Sequence, residues 1–216
     1  MKIGIIGSGI VGQTLAKAFN NEGYTVQLGT RNTSKEEVVK FKNENPTINI
    51  GTFEETAASS ELIILATAGV VTIDAIALAG KENFNDKIVI DATNPIAKEP
   101  PVNGVLKFFT DYNSSLQEKI QAFIPEAKIV KVFSCVGNAF FYKPNFNGVK
   151  PTMFIAGNDN AAKKVVTEIL TAFGWETEDM GTAEAARAIE PLCILWCLPG
   201  FTKNQWGHAF KLLKMQ

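Results

Sequence analysis

Six residues, Gly7-Ser8-Gly9-Ile10-Val11-Gly12, constrain this chain more than any other segment. They follow the apolar run 2–6 directly and open a helical pattern over 13–20. G-x-G-x-x-G between a strand and a helix is the phosphate-binding turn of a dinucleotide site. Each glycine has its own reason. Gly7 permits a tight turn, Gly9 lets backbone approach a pyrophosphate, and Gly12 lets helix and strand pack closely. The helix start then offers free N–H groups and a partial positive charge to the pyrophosphate. A glycine turn can also be merely structural; its place at the end of an apolar strand favours the nucleotide.

The next strand bears on which nucleotide. Residues 24–28 have β composition and run into Gly29-Thr30-Arg31-Asn32. NAD-binding units usually end this strand in an acid that holds the ribose 2′-hydroxyl. Here glycine and threonine take that place and an arginine follows. A carboxylate would repel a 2′-phosphate, whereas an Arg fork can hold one through two charge-assisted hydrogen bonds. Thr30 and Asn32 can add neutral donors, and Lys35 a second positive charge. Arg31 and Lys35 would also suit an ordinary solvated surface. The missing acid together with Arg31 favours NADP(H) over NAD(H).

The 216 residues suffice for one large domain with a sizeable core. With 21 basic and 22 acidic residues the chain lacks the electrostatic footprint of a nucleic-acid binder. It opens on a strand, so no secretory leader is expected. The longest uncharged apolar stretch, 191–201, is too short to span a bilayer and contains Pro199 and Gly200. A soluble, cytoplasmic protein without membrane partners is the expectation. Cys135, Cys193 and Cys197 make no disulfide framework, and with the sole histidine, His208, they assemble no metal site. They read as core thiols.

Strand and helix patterns alternate along the chain, which argues for an α/β fold of Rossmann type. Its sheet should be doubly wound and mostly parallel. The helices are expected at 34–43 (capped by Ser34), 53–59, 70–79, 114–123, 158–173 and 183–197. The remaining strands are expected at 48–51, 61–67, 87–91, 127–133, 151–156 and 175–179. Residues 97–113 read as a long loop, and 139–149 as aromatic and turn-rich. No repeat or low-complexity linker interrupts the chain. Residues 1–216 are therefore read as a single NAD(P)-binding domain, with 183–216 as a helical C-terminal extension.

Ligands of open α/β sheets lie beyond the carboxyl ends of the strands. Here those ends carry Gly7-Ser8, Thr30-Arg31, Thr67-Ala68-Gly69, Asn94-Pro95 and residues 134–138. The small residues Thr67, Ala68 and Gly69 leave room for a ribose or nicotinamide against backbone. Asn94 and Asn138 can orient a carboxamide or a substrate carbonyl, or can bond their own turns.

The segments IGIIGSGIVGQTLA, LGTRN, DATNPI, KVFSCVGN, PTMFIAGND and MGTAEAARAIEPL together resemble the NADP-dependent coenzyme F420 oxidoreductases. That nucleotide-binding fold also occurs in six-transmembrane ferric reductases. The first segment is shared by many Rossmann proteins; LGTRN, DATNP and PTMFIAGND are more specific. Pyrroline-5-carboxylate reductases share the N-terminal fold but add a long helical dimerisation domain, for which this chain has no room. The resemblance implies NADP across the glycine turn, its 2′-phosphate held by Thr30, Arg31 and Lys35. It also implies a homodimer and a flavin-like partner stacked near the nicotinamide; the acceptor stays open between F420, another flavin and another small electron acceptor. Hydride then passes directly between two rings, which needs close oriented stacking and no protein acid or base. No catalytic side chain is therefore assigned. One departure touches the second substrate: the family often has Phe-Asn where this chain has Phe133-Ser134.

The C-terminal quarter carries a large apolar load. Ala185, Ala188, Leu192 and Trp196 form a helical stripe with Ile189 and Cys193 beside it, and Glu184, Arg187 and Glu190 lie mainly opposite. Phe201, Trp206, Phe210, Leu212 and Leu213 follow. They can complete the core or face a second subunit. Trp196, Phe201 and Trp206 could also wall a flavin pocket. Two further readings stay open: a non-catalytic NADP(H) redox sensor, and an imine or keto-acid reductase using Tyr112 or Tyr142 as proton donor.

Overall fold

The apolar runs form strands in the computed structural model, which describes residues 1–215. In chain order they are β1 (Lys2–Ile6), β2 (Thr25–Thr30), β3 (Asn49–Thr52), β4 (Leu62–Leu65), β5 (Ile88–Asp91) and β6 (Lys128–Lys131). They pair in parallel in the order β3-β2-β1-β4-β5-β6. This is the Rossmann order, with its topological switch between β1 and β4. A parallel sheet needs helices on both faces, so its inner strands are apolar throughout. Alternate residues therefore feed two cores. Ile3, Ile5, Leu62 and Ile64 face one, while Ile6, Ile63 and Leu65 face the other.

On the first face lie α1 (Ile10–Asn21) and α6 (Asn160–Ala172). On the second lie α3 (Phe53–Ser59), α4 (Thr72–Ala79) and α5 (Leu116–Phe123). The charged helix α2 (Glu36–Glu44) buries only Val38 and Phe41. Strands β7 (Thr152–Ile155) and β8 (Glu176–Asp179) form a separate parallel pair, bridged antiparallel to β6 through Lys131 and Ala156.

Several boundaries differ from the pattern reading. Helix α1 begins at Ile10, so Gly12 is already helical and packs on Gly7. Helix α2 begins after Lys35, because the backbone N–H of Ser34 bonds the Asn32 side chain in a turn and Ser34 caps nothing. The expected loop at 97–113 is partly ordered by two small antiparallel bridges, Val102–Val105 within it and Ile96–Phe108 closing its start. The final helix is not continuous. A short turn over Ala183–Ala185 leads into α7 (Ala186–Ile189), and α8 (Leu192–Lys203) follows beyond Pro191. The break turns Glu190 inward, where it is 1% exposed, although the helical stripe placed it on the outer face. Residues 204–215 are not helical. Asn204 is left-handed, and the chain folds back along β7, where the Thr152 N–H donates to the Phe210 carbonyl.

Candidate functional site

The switch point between β1 and β4 opens into a cavity of about 570 Å³. Its glycines occupy three different environments. Gly7 has φ +124°, and a Cβ there would lie 2.6 Å from the Ala66 carbonyl oxygen. A Cβ on Gly12 would lie 1.8 Å from the Gly7 carbonyl oxygen, so helix and turn touch through backbone. Gly9 is the opposite case: a Cβ there would meet nothing within 4 Å, and the residue borders the cavity. Gly9 is therefore free of the packing demands that fix Gly7 and Gly12.

Gly9 is also the N-cap of α1, without a side-chain cap and with no acidic residue in the first turn. Side chains cap α3, α5 and α6 through Thr52, Ser115 and Asp159. The start of α1 thus keeps N–H groups and a positive dipole end for an anion. The donor set fits a pyrophosphate at this turn.

Nine of the residues singled out in sequence meet in this cavity: Gly7, Ser8, Gly9, Thr30, Arg31, Asn32, Lys35, Thr67 and Ala68. Thr30 is buried and engaged. Its Oγ1 accepts from Ser8 Oγ at 3.0 Å and from the Asn32 N–H at 3.3 Å. Its hydroxyl therefore braces the turn that presents Arg31. Arg31 and Lys35 are exposed, and Lys35 pairs with Glu37. Seven cavity residues escaped the sequence reading: Glu37, Ala66 and Asp74, and an apolar wall of Phe53 from α3 with Val71, Ala75 and Leu78 at or on α4. The wall suits a flat ring. Helical spacing made its residues look like ordinary core positions, and nothing local in sequence brings α3 to α4.

Seven other residues lie around this cavity rather than in it. Ile10 stands 71% exposed at the start of α1, and Val11 is half-buried behind it. Gly12 serves packing. Gly69 lies against the Asn94 backbone, where a Cβ would come within 2.1 Å of the Asn94 carbonyl oxygen. Pro95 is buried beside it. Asn94 keeps a buried Oδ1 without a hydrogen-bond partner among the described residues, and so does Ser134 Oγ. Asn138 points Nδ2 to Thr14 Oγ1 of α1 at 3.4 Å, which ties the 134–138 loop to the glycine-turn helix.

Between β6 and that loop, Phe133 takes φ +65°, a strained conformation for a bulky residue, and stacks on Phe141 at 4.3 Å. Trp196 of α8 lies over Gly137, where a Cβ would fall 2.3 Å from its ring.

Beneath the carboxyl ends of β5 and β6 lies a buried ionic cluster that the sequence reading missed. Lys131 Nζ meets Asp91 Oδ2 at 3.0 Å and Glu190 Oε1 at 3.1 Å, and donates to the Thr93 carbonyl. Glu190 also accepts the backbone N–H groups of Leu116 and Gln117, each at 3.0 Å, at the start of α5. Asp91 Oδ1 accepts the N–H and hydroxyl of Thr93. Burial pushes the Lys131 pKa down, but Asp91 and then Glu190 outweigh it and hold it above the ordinary lysine value. The cluster fixes the Thr93–Pro95 loop from below and anchors the α7–α8 junction. Its donors and acceptors are engaged, which suits positioning rather than proton transfer.

His208 is committed elsewhere. Its ring stacks on Trp196 at 5.1 Å and its Nε2 lies 3.0 Å from the Trp196 carbonyl. Among the described residues no cluster of three or more His, Cys, Asp or Glu could hold a metal, and no helix is long and apolar enough to cross a membrane.

Comparison with known proteins points to the same fold and to one family. Residues 2–95 match the family model of coenzyme F420-dependent NADP oxidoreductases. A crystal structure from Arthrobacter sp. FB24, provisionally named an F420-dependent NADP-reductase, superposes with a TM-score of 0.91 at 30% identity, covering 99% of this chain and 100% of that one. Metalloreductase STEAP3 of Rattus norvegicus is 29% identical over 203 residues, 92% of this chain. The chain spans only 38% of that curated relative. A pyrroline carboxylate reductase of Plasmodium falciparum, solved with NADP bound, shares the fold with a TM-score of 0.53 at 16% identity, over 83% of this chain and 57% of that one.

Proposed function

The chain belongs to the coenzyme F420-dependent NADP oxidoreductase family, whose members are NADP-dependent enzymes, and from that premise we propose that it moves hydride between NADP(H) and a flat flavin- or deazaflavin-like acceptor. The observation that carries this is the meeting, in one cavity, of an uncapped helix start at Gly9 with the cations Arg31 and Lys35. The first suits a pyrophosphate and the second a 2′-phosphate. A bound nicotinamide supplies the hydride. The chain's own residues bind and orient it: Gly9 admits the pyrophosphate, Arg31 and Lys35 hold the 2′-phosphate, and Thr67 and Ala68 bed the ribose against backbone. Asn94 has an unpartnered oxygen to offer a carboxamide.

Direct transfer between rings needs no protein proton donor. That suits this site. Tyr112 is 95% exposed and the Tyr142 hydroxyl donates to Glu22 at 2.8 Å, so both candidate donors of an imine or keto-acid reductase are engaged with solvent or surface. We further propose a cytoplasmic homodimer. Three free thiols suit a reducing compartment, and Leu195, Phe201 and Trp206 leave apolar surface exposed on and beside α8.

Arg31→Ala tests the assignment. Loss of charge-assisted bonds to a phosphate should weaken NADPH binding about 10–100-fold and leave NADH nearly unchanged. Equal loss for both nucleotides would refute the role of Arg31.

A further inference from the structure

The cavity that holds Arg31 and Lys35 also holds two carboxylates, Glu37 in the first turn of α2 and Asp74 on α4. Glu37 already pairs with Lys35, and both side chains are 56% exposed. A pair so exposed is weak and exchanges partners readily. The acid missing from the end of β2 is thus supplied to the same cavity from the neighbouring helix.

From this, and resting on the nucleotide reading above, we propose that Glu37 is a second specificity-determining residue. With NADH bound, its carboxylate accepts a hydrogen bond from the ribose 2′-hydroxyl. With NADPH bound, the 2′-phosphate must take Lys35 from it. The site therefore admits both nucleotides, and its preference for NADPH is smaller than Arg31 and Lys35 alone would give.

The chemistry runs in opposite directions for the two ligands. A hydroxyl is a donor, and a carboxylate is its strongest side-chain acceptor. A phosphate monoester carries close to two negative charges near neutral pH, so a carboxylate beside it repels it. Neutralising Glu37 should then help one nucleotide and harm the other. A purely structural role would move both together.

The experiment is calorimetric titration of the wild type and Glu37→Gln with NADPH and with NADH at low salt. Removing one charge several ångströms from the phosphate should tighten NADPH about 3–10-fold, an effect that shrinks in high salt. Replacing a charged acceptor by a neutral one should weaken NADH about 3–10-fold. The NADPH to NADH affinity ratio thus rises by roughly tenfold or more. An unchanged ratio in Glu37→Gln overturns the proposal. Arg31→Ala, titrated alongside, separates the two readings. Selective loss of NADPH there, with an unchanged ratio in Glu37→Gln, removes Glu37 alone and leaves the nucleotide site standing. Equal loss of both nucleotides in Arg31→Ala overturns both.

Discussion

Lys131→Met removes the cation at the centre of the buried cluster beneath the ligand face. Its ammonium lies 3.0 Å from Asp91 and 3.1 Å from Glu190, and all three side chains are at most 2% exposed. At these distances each attraction is on the order of 5 kcal/mol for an effective dielectric constant of about 20. Desolvation of the ammonium cancels much of that sum. What the variant leaves behind decides the outcome: two carboxylates out of water, still bonded to Thr93 and to the start of α5 but without a counter-charge. Breaking a buried pair from one side costs about 3–5 kcal/mol. Folded domains hold only about 5–15 kcal/mol in all. For a chain of this length the melting temperature should fall by about 6–20 °C.

Urea unfolding followed by tryptophan fluorescence and by circular dichroism gives the number. Because the cluster is buried, the loss should be the same in dilute and in concentrated salt. The pH dependence has a fixed sign. The folded-state pKa of Lys131 is raised, so its contribution is fully present below the ordinary lysine value. It fades as pH rises through the folded value. The gap between the two proteins should therefore hold across neutral pH and narrow in strong alkali, where Lys131 loses its charge. A loss below about 1 kcal/mol, or one that salt abolishes, would show that the cluster is neither dry nor mutually paired.

Three other outcomes follow from the same geometry. Gly9→Val should still fold, at a cost of about 1 kcal/mol for a poorer N-cap, because its Cβ meets nothing within 4 Å, yet lose both nucleotides, since the side chain takes the place of the pyrophosphate. Retained binding would remove the glycine turn from the site. Gly12→Ala should instead cost about 2–4 kcal/mol in the same urea assay, as its Cβ would fall 1.8 Å from the Gly7 carbonyl oxygen; a stable variant would contradict that packing. Among the thiols, Cys197 is half-buried, and its hydrogen bond from Cys193 lowers its pKa. Burial pushes Cys135 up to about 11. A thiol reagent near neutral pH should therefore label Cys197 first, and Cys135 only on unfolding; mass mapping of the labelled peptides decides it.

What the sequence made legible was local. Continuous apolar runs such as Leu62–Leu65 and the alternation of strand and helix gave the parallel sheet, because burial on both faces leaves no other pattern. The glycine turn and Arg31 were legible for a similar reason: their physics lies within a few residues. The buried cluster was not. Asp91, Lys131 and Glu190 come from β5, β6 and the α7–α8 junction, and each alone looks like a surface charge. Helical periodicity placed Glu190 outward, and only the break before Pro191 turns it in. Glu37 was passed over because a charged helix reads as solvated, which α2 largely is; its place in the cavity depends on how α2 packs beside β3. Asn94 and Asn138, equivalent in sequence, differ in the fold: one keeps an unpartnered oxygen, while the other bonds Thr14.

The first measurement is a calorimetric titration of the purified protein with NADPH and NADH, followed by FMN, FAD or F420 while absorbance of the reduced nicotinamide is recorded. Tighter binding of NADPH, with its oxidation by one of these acceptors, is the result expected of a hydride-transferring member of this family. No binding of either nucleotide would contradict the assignment of the cavity at Gly9 and Arg31 outright. Selective binding without oxidation by any acceptor would contradict the flavin-like partner.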